Sequence, residues 1–255
     1  MKNLLVLTQP WPRVERLAEQ LWQADIPNLA IPFSKIEPCF DQPLLLQSFD
    51  WVVVVSPSAA ESLIALAVPY DAELPMPRFA CVGPGSVSAL KEGLDSLAWP
   101  DPEIFWPEIS HDAEHLLKAP FLGDLSHQSV LVVRAKISKT AWGPLFREKH
   151  ASVMEIELYE QHAQAPDWEF AMPRLRRSID DPHFKQMLWY VSQESVAERL
   201  VSAVRNLSIG HVTQRDIALV PHPHIQRVLE RLGWAQVQLV APGAQGLVSA
   251  MLHSG

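Results

Sequence analysis

Apolar residues in this chain come in short runs of strand length, each followed by a stretch with helical spacing. Leu4-Leu5-Val6-Leu7-Thr8 reads as a buried strand ended by Gln9-Pro10-Trp11-Pro12. Val14, Leu17, Ala18 and Leu21 then recur at the spacing of one helix face. Ile26 to Pro32 reads as a second strand, and Phe33 to Phe40 as an extended segment interrupted by Pro38. From Asp50 to Ala151 the alternation continues, with strands expected at 51–55, 79–83 and 129–135 and helices at 58–67, 85–93, 111–119 and 140–150. Ser152 to Gln164 alternates like a strand and is longer than its neighbours. A final cycle predicts helices at 168–178, 193–205, 223–232 and 243–252, and strands at 186–191, 216–220 and 237–240. Such alternation produces parallel, doubly wound sheets covered by helices on both faces.

Two of these passages nearly repeat. Asp50 to Leu63 is echoed by Gln186 to Leu200, each an apolar run that stops at a serine (Ser56, Ser192) and passes into an amphipathic helix. Val82 to Gly93 is echoed by Val220 to Gly233. A duplicated set of strand–turn–helix units implies two similar α/β lobes, and two lobes imply a cleft. The opening strand–helix–strand is too small to form a lobe, and the terminal block lacks an early strand. Joining 1–33 to 165–255 completes one lobe, and 41–152 forms the other. The extended segments 34–40 and 153–164 then serve as a two-stranded connector about which the lobes hinge.

Composition narrows the class. At 255 residues, 48% hydrophobic and 20% charged, the chain is an ordinary globular sequence with room for two modest cores. A net charge of −8 disfavours nonspecific nucleic-acid binding but leaves a small anionic ligand open. No apolar run approaches the roughly 18 residues of a membrane span. Met1-Lys2-Asn3 leads directly into a strand, unlike a signal peptide, and Cys39 and Cys81 are too few for a disulfide framework or metal knuckle. The expectation is a cytoplasmic monomer with neither nucleic-acid nor membrane partners.

Candidate chemistry gathers where strands hand over to helices. The first turn of a helix leaves N–H groups free, and the macrodipole favours negative charge there. Thr8, Ser56, Ser58, Gly83, Gly85, Ser86 and Ser192 occupy such turns, with Arg134 and Lys139 at another strand–helix junction. Their functional reading is an anion-holding rim; the plainer one is that Ser and Thr cap helices. Tyr159, on the second crossing strand, either gives a proton or hydrogen bond to a departing oxygen or packs its ring with the hydroxyl wet. His111 and His115 have the i, i+4 spacing of zinc-binding helices, but Asp112 stands where that motif needs Glu and no third ligand is evident. A solvated helix start explains them, and turn chemistry explains His222-Pro223-His224. No metal is expected. The absence of GxSxG, P-loop and GxGxxG patterns removes hydrolase, kinase and ordinary dinucleotide readings.

With these residues in place, the chain resembles the uroporphyrinogen-III synthase family from Leu4 to the last helix. The similar pieces are the opening strand with Thr8, Asp50-Trp51 through Ser56-Pro57, and Ala80-Cys81-Val82-Gly83-Pro84-Gly85-Ser86 through Leu90. Val130-Leu131-Val132-Val133-Arg134, Leu158-Tyr159 and Val191-Ser192 complete the order. The resemblance implies two Rossmann-like (flavodoxin-like) lobes, the first discontinuous, joined by a two-stranded connector. It implies closure of linear hydroxymethylbilane to uroporphyrinogen III, with loss of water and inversion of the last pyrrole ring, without metal or cofactor. It implies an azafulvene and then a spiro intermediate, with Tyr159 assisting the leaving hydroxyl. The eight substrate carboxylates would be held by Thr8, Ser56, Ser58, Gly83, Ser86, Arg134, Lys139 and Ser192. The chain departs from the family's pattern at several charges: Thr-Arg-Pro is Thr8-Gln9-Pro10, Arg-Gly-x-x-Gly-Arg is Arg134 through Lys139 without either glycine, and Tyr-x-Arg is Tyr159-Glu160-Gln161. Those losses motivate the alternative, a non-catalytic binding protein that kept the bilobal fold.

Overall fold

A computed structural model describes residues 2–108, 112–138, 140–207 and 209–253. The chain opens with β1 (Lys2–Leu7), α1 (Arg13–Gln23), β2 (Asn28–Ala30) and β3 (Ser34–Pro38). Then come β4 (Trp51–Val54), α2 (Pro57–Ile64), β5 (Arg78–Cys81), α3 (Pro84–Ser96), β6 (Ile104–Phe105) and α4 (Ala113–Lys118). After β7 (Ser129–Ala135), α5 (Trp142–Arg147) and the long β8 (Ser152–Ala163) the chain enters α6 (Trp168–Ile179) and β9 (Phe184–Tyr190). It ends with α7 (Glu194–Asn206), α8 (Val212–Arg215), β10 (Ile217–Val220), α9 (Pro223–Arg231), β11 (Gln236–Leu239) and α10 (Ala244–His253). The helix expected over 140–150 shrinks to six residues, because Gly143 and Pro144 weaken its first turn. The two-residue β6 and the single turn α8 are too short to show a period.

Contacts divide the chain into two units, Met1–Lys35 with His162–Gly255, and Ile36–Gln161. The first holds a five-stranded sheet in the order β11-β10-β9-β1-β2, parallel at every pairing. Its strands alternate between two cores, as buried parallel strands must. Val6, Met187, Trp189, Ala218 and Val220 face α6, α7 and α9. Leu5, Leu7, Leu188, Tyr190 and Leu219 face α1 and α10. Asp216, 1% exposed, lies inside this unit and receives the Met187 N–H (3.3 Å) and the Trp189 indole N–H (3.4 Å). Its own carbonyl accepts from the Trp234 indole (3.0 Å). Burial raises the Asp216 pKa above the ordinary carboxylate range, only partly offset by those N–H groups.

The second unit holds a six-stranded sheet in the order β3-β8-β7-β4-β5-β6. The extended segments around 34–40 and 153–164 therefore lie largely as strands of this sheet, with β8 parallel to β7 from Ser129↔Ser152 onward. Val52, Val54, Phe79, Cys81, Leu131 and Val133 face α2 and α3, while Trp51, Val53, Ala80, Val130 and Val132 face α4 and α5. Helices α2 and α3 approach closely because Gly93 has no side chain: a Cβ there would sit 2.4 Å from Ile64 Cγ1. The contact lies toward the C-terminal ends of both helices, while the pairing of Val54 with Cys81 brings their starts side by side.

Candidate functional site

In open parallel sheets, ligands sit beyond the carboxyl ends of the strands where the direction of winding reverses. In the second unit that reversal falls between β4 and β7: the chain steps from β4 to β5 and β6 one way, and from β7 to β8 the other. Val54 and Val133 pair near the ends of the two strands, so the segments leaving them, Val55-Ser56 and Lys136 to Ser138, share one rim. The β5 exit, Val82-Gly83, lies next along it, since Val54 also pairs with Cys81.

Two similar turns enter helices on this rim. Ser56 is the N-cap of α2, extended at φ −159°, with its Oγ accepting the Ala59 N–H (3.0 Å) and Pro57 at the first helical position. Gly83 is the N-cap of α3, followed by Pro84. Ser58 and Ser86 are buried, and the Ser86 N–H is bonded to the Gly83 carbonyl (3.0 Å). Among the described residues, the N–H groups of Ser58 and Gly85 have no protein acceptor. These turns offer backbone donors to an anion, as helix N-termini do.

Tyr159 reaches the same rim through an irregularity in β8. Arg134 pairs with Glu157 but Ala135 with Tyr159, so Leu158 is an extra residue on β8. A bulge of this kind resets the alternation of side chains. Ile156, Leu158 and Tyr159 all pack in the α2–α3 core, whereas a regular strand would turn Tyr159 to the other face. The phenol is 5% exposed, and its oxygen lies 2.9 Å from Ser56 Oγ. Behind it, the Tyr159 carbonyl accepts the Lys136 N–H (2.8 Å), and Lys136 Nζ pairs with Glu160 (3.0 Å), which raises the lysine pKa.

Arg134, expected to hold a substrate carboxylate, is engaged by acidic and carbonyl partners within the unit. It follows Val130 and Val132 onto the α4–α5 face, opposite Tyr159. Its Nε is bonded to Glu155, its Nη2 to Glu157 (3.0 Å), and its Nη1 to the carbonyls of Ala135 (2.7 Å) and Lys136 (3.0 Å). Four of five guanidinium protons are thereby engaged. Burial opposes its charge, but the hydrogen bonds and charges of Glu155 and Glu157 outweigh that and raise its pKa. Glu155 also accepts the Gly143 N–H at the start of α5 (2.8 Å). Sequence reasoning missed these acidic partners. Their two-residue spacing on a strand puts both on one face, a signal that becomes readable only once β7 and β8 are paired. Lys139, also expected on this rim, lies outside the described residues.

The first unit reverses its winding between β1 and β9, at Thr8 and Val191-Ser192. Thr8 is fully buried, and its hydroxyl donates to the Tyr190 carbonyl (2.7 Å). The single proton of the Thr8 hydroxyl, expected to hold a carboxylate, is given to that carbonyl. Neighbouring Gln9 is 3% exposed, and its Oε1 has no donor among the described residues. Ser192 is half-buried one residue before Gln193, the N-cap of α7. His222 caps α9 through Nδ1, which accepts the His224 N–H (3.0 Å), and His224 reaches Glu194 (3.0 Å). His115 is bonded to Asp112, the N-cap of α4, while His111 lies outside the described residues. No group of three metal-ligating side chains gathers among the described residues.

The chain matches the family model described as uroporphyrinogen-III synthase HemD over residues 15–249. Among solved structures, a mutant uroporphyrinogen III synthase from the extremely thermophilic bacterium Thermus thermophilus is similar at 12% identity, covering 100% of both chains with a TM-score of 0.46. Uroporphyrinogen-III synthetase from Helicobacter pylori 26695 is similar at 11% identity, again covering 100% of both chains, with a TM-score of 0.49. No curated protein sequence matches the chain.

Proposed function

The chain belongs to the uroporphyrinogen-III synthase family, and from that premise we propose that Tyr159 and Ser56 form the reacting end of its site. The enzyme closes linear hydroxymethylbilane to uroporphyrinogen III, losing water and inverting ring D, in tetrapyrrole and haem biosynthesis. The observation that carries the site is the 2.9 Å contact between the Tyr159 hydroxyl and Ser56 Oγ at the winding reversal of the second sheet.

Ser56 Oγ already accepts the Ala59 N–H, so its own hydrogen is available to the phenolic oxygen. With Ser56 as donor, Tyr159 keeps its proton for the departing hydroxyl of the substrate. The carbon–oxygen bond then breaks, water leaves, and the developing phenolate is held by the Ser56 hydroxyl at a helix N-terminus. The proton returns when the closing ring sheds one to regain its pyrroles. The free N–H groups of Ser58 and Gly85, with the Gly83 turn and Ser86 beside them, serve the acetate and propionate carboxylates. Ser192 takes the corresponding role at the first unit's rim. Holding the chain in the inverting geometry is the larger task, since a bound near-attack conformer contributes more than a single proton transfer.

No described helix is long and apolar enough to cross a membrane. We extend the reading to a single-chain enzyme of the cytoplasm, supported by two unbridged cysteines, of which Cys81 is buried with its pKa pushed up to about 12. The test is a product ratio. Purified protein given fresh hydroxymethylbilane yields type III uroporphyrinogen above the spontaneous type I background; type I alone, at the spontaneous rate, overturns the reading.

A further inference from the structure

We propose that Arg227 and Arg231, on one flank of α9, bind carboxylates of the bilane beside the Ser192 turn, an assignment that rests on the synthase reading. Helix α9 begins where β10 leaves the first sheet, and the pairing of Tyr190 with Leu219 sets that exit beside Val191-Ser192 at the end of β9. Ile225, Val228 and Leu229 bury one side of the helix. His224, Arg227 and Arg231 recur at i, i+3 and i+7, so they form a stripe along the flank of that buried side. His224 Nε2 lies 3.0 Å from Glu194, two residues beyond Ser192, which ties the head of the stripe to the start of α7. Together with Glu230, these three side chains line an open cavity of about 620 Å³.

Both guanidinium groups are available. Among the described residues, that of Arg227 has no hydrogen bond or ion pair. That of Arg231 donates through Nε to the Arg227 carbonyl at 3.4 Å and keeps its remaining protons. Glu230 stands three residues from Arg227, the spacing at which helix ion pairs form, yet the two are not paired. Two guanidinium charges against one carboxylate leave the lining positive. Arg134 and Lys136, by contrast, are already paired on the second unit, with Glu155 and Glu157 and with Glu160.

The stripe selects the kind of ligand by its length. A guanidinium fork takes both oxygens of a carboxylate at once. From His224 to Arg231 the helix rises about 10 Å, at about 1.5 Å per residue. A single small anion meets one end of such a stripe, whereas a chain of pyrroles with carboxylates on short arms meets both arginines. The protein as a whole carries a net charge of −8, which repels an octacarboxylate at long range. A local positive flank beside the rim offsets that repulsion and aligns the chain along α9.

Kinetics of the whole chain test this. In the double variant Arg227→Gln with Arg231→Gln, KM for hydroxymethylbilane rises about tenfold while kcat falls much less, the loss expected for two exposed charged contacts. The slope of log KM against log salt flattens. The Kd for uroporphyrin III, an octacarboxylate probe read by fluorescence, rises by the same factor. Both side chains are exposed, so the thermal melt is unchanged. Arg227→Lys with Arg231→Lys keeps the charge without the fork and recovers part of the affinity. Unchanged KM and Kd, or a fall in kcat alone, in a protein that still makes type III product overturns the subsite and leaves the family activity standing. Type I product alone from the unaltered protein overturns the synthase reading, and equal binding of uroporphyrin III by the two proteins then overturns the cavity as well.

Discussion

The Tyr159 hydroxyl and Ser56 Oγ lie 2.9 Å apart although their strands, β8 and β4, are not neighbours. Strand β7 runs between them, so the two backbones are about 9.5 Å apart. The aromatic ring spans that gap over the end of β7, and the contact closes a loop of 103 residues in sequence. Removing the phenolic oxygen alone is the sharpest probe. Tyr159→Phe lowers kcat for type III formation about a hundredfold, the lower range for a lost general acid. Its stability changes by only about 1 kcal/mol, the net worth of one hydrogen bond. Stopped assays of the type III to type I ratio, with a thermal melt, check both.

Ser56 has two duties that separate by choice of variant. Ser56→Ala removes the helix cap and costs about 1 kcal/mol, whereas Ser56→Gly costs only a few tenths, because glycine is tolerated at that position. Both remove the oxygen beside Tyr159. The two variants therefore share one reduced kcat while differing in urea midpoint. A kcat that tracks stability instead would assign Ser56 to capping alone.

The α2–α3 contact packs the far ends of the helices that start at Ser56 and Gly83. Gly93→Ala places a methyl 2.4 Å from Ile64 Cγ1 and lowers stability by about 1–3 kcal/mol, the usual range for an overpacked site. Trimming the opposing side chain in the double variant Gly93→Ala with Ile64→Ala relieves the clash. Denaturant unfolding of the single and double variants gives a coupling energy of favourable sign.

Asp216 predicts a pH dependence of stability. Burial raises its folded pKa above the unfolded value, so its contribution is fully present below the unfolded pKa of about 4. That contribution is lost as pH rises through the folded value. Asp216→Asn points an amide donor at an indole N–H and costs about 1–3 kcal/mol at acid pH. The gap between the two proteins narrows as pH increases, read from urea titrations between about pH 4 and pH 8.

The order of strands and helices was legible because each buried strand is a compact run of Val, Leu and Trp and each helix keeps one apolar face. Ser56 and Tyr159 were legible as separate candidates, one from a strand–helix turn and one from its place on a crossing strand. Their contact was not, since nothing local relates residues 103 positions apart. The partners of Arg134 were hidden for a related reason. A positive charge at a strand end looks available until Glu155 and Glu157 are brought beside it by the β7–β8 pairing. Thr8 looks like a rim hydroxyl, and only the β1–β9 register shows the Tyr190 carbonyl that takes its proton.

The extra residue at Leu158 makes the aim of the phenol a matter of counting. Substitutions along β8 that keep its inward positions apolar leave Tyr159 pointing at Ser56. Deleting one residue beside the bulge would barely change the composition of the strand, yet it would swing the ring toward Trp142 and Phe146 on the other side of the sheet. The aim of the phenol in this chain is thus tolerant of changes in side-chain identity along β8 and sensitive to single-residue insertions and deletions between Glu157 and Tyr159, which would put a different residue beside Ser56.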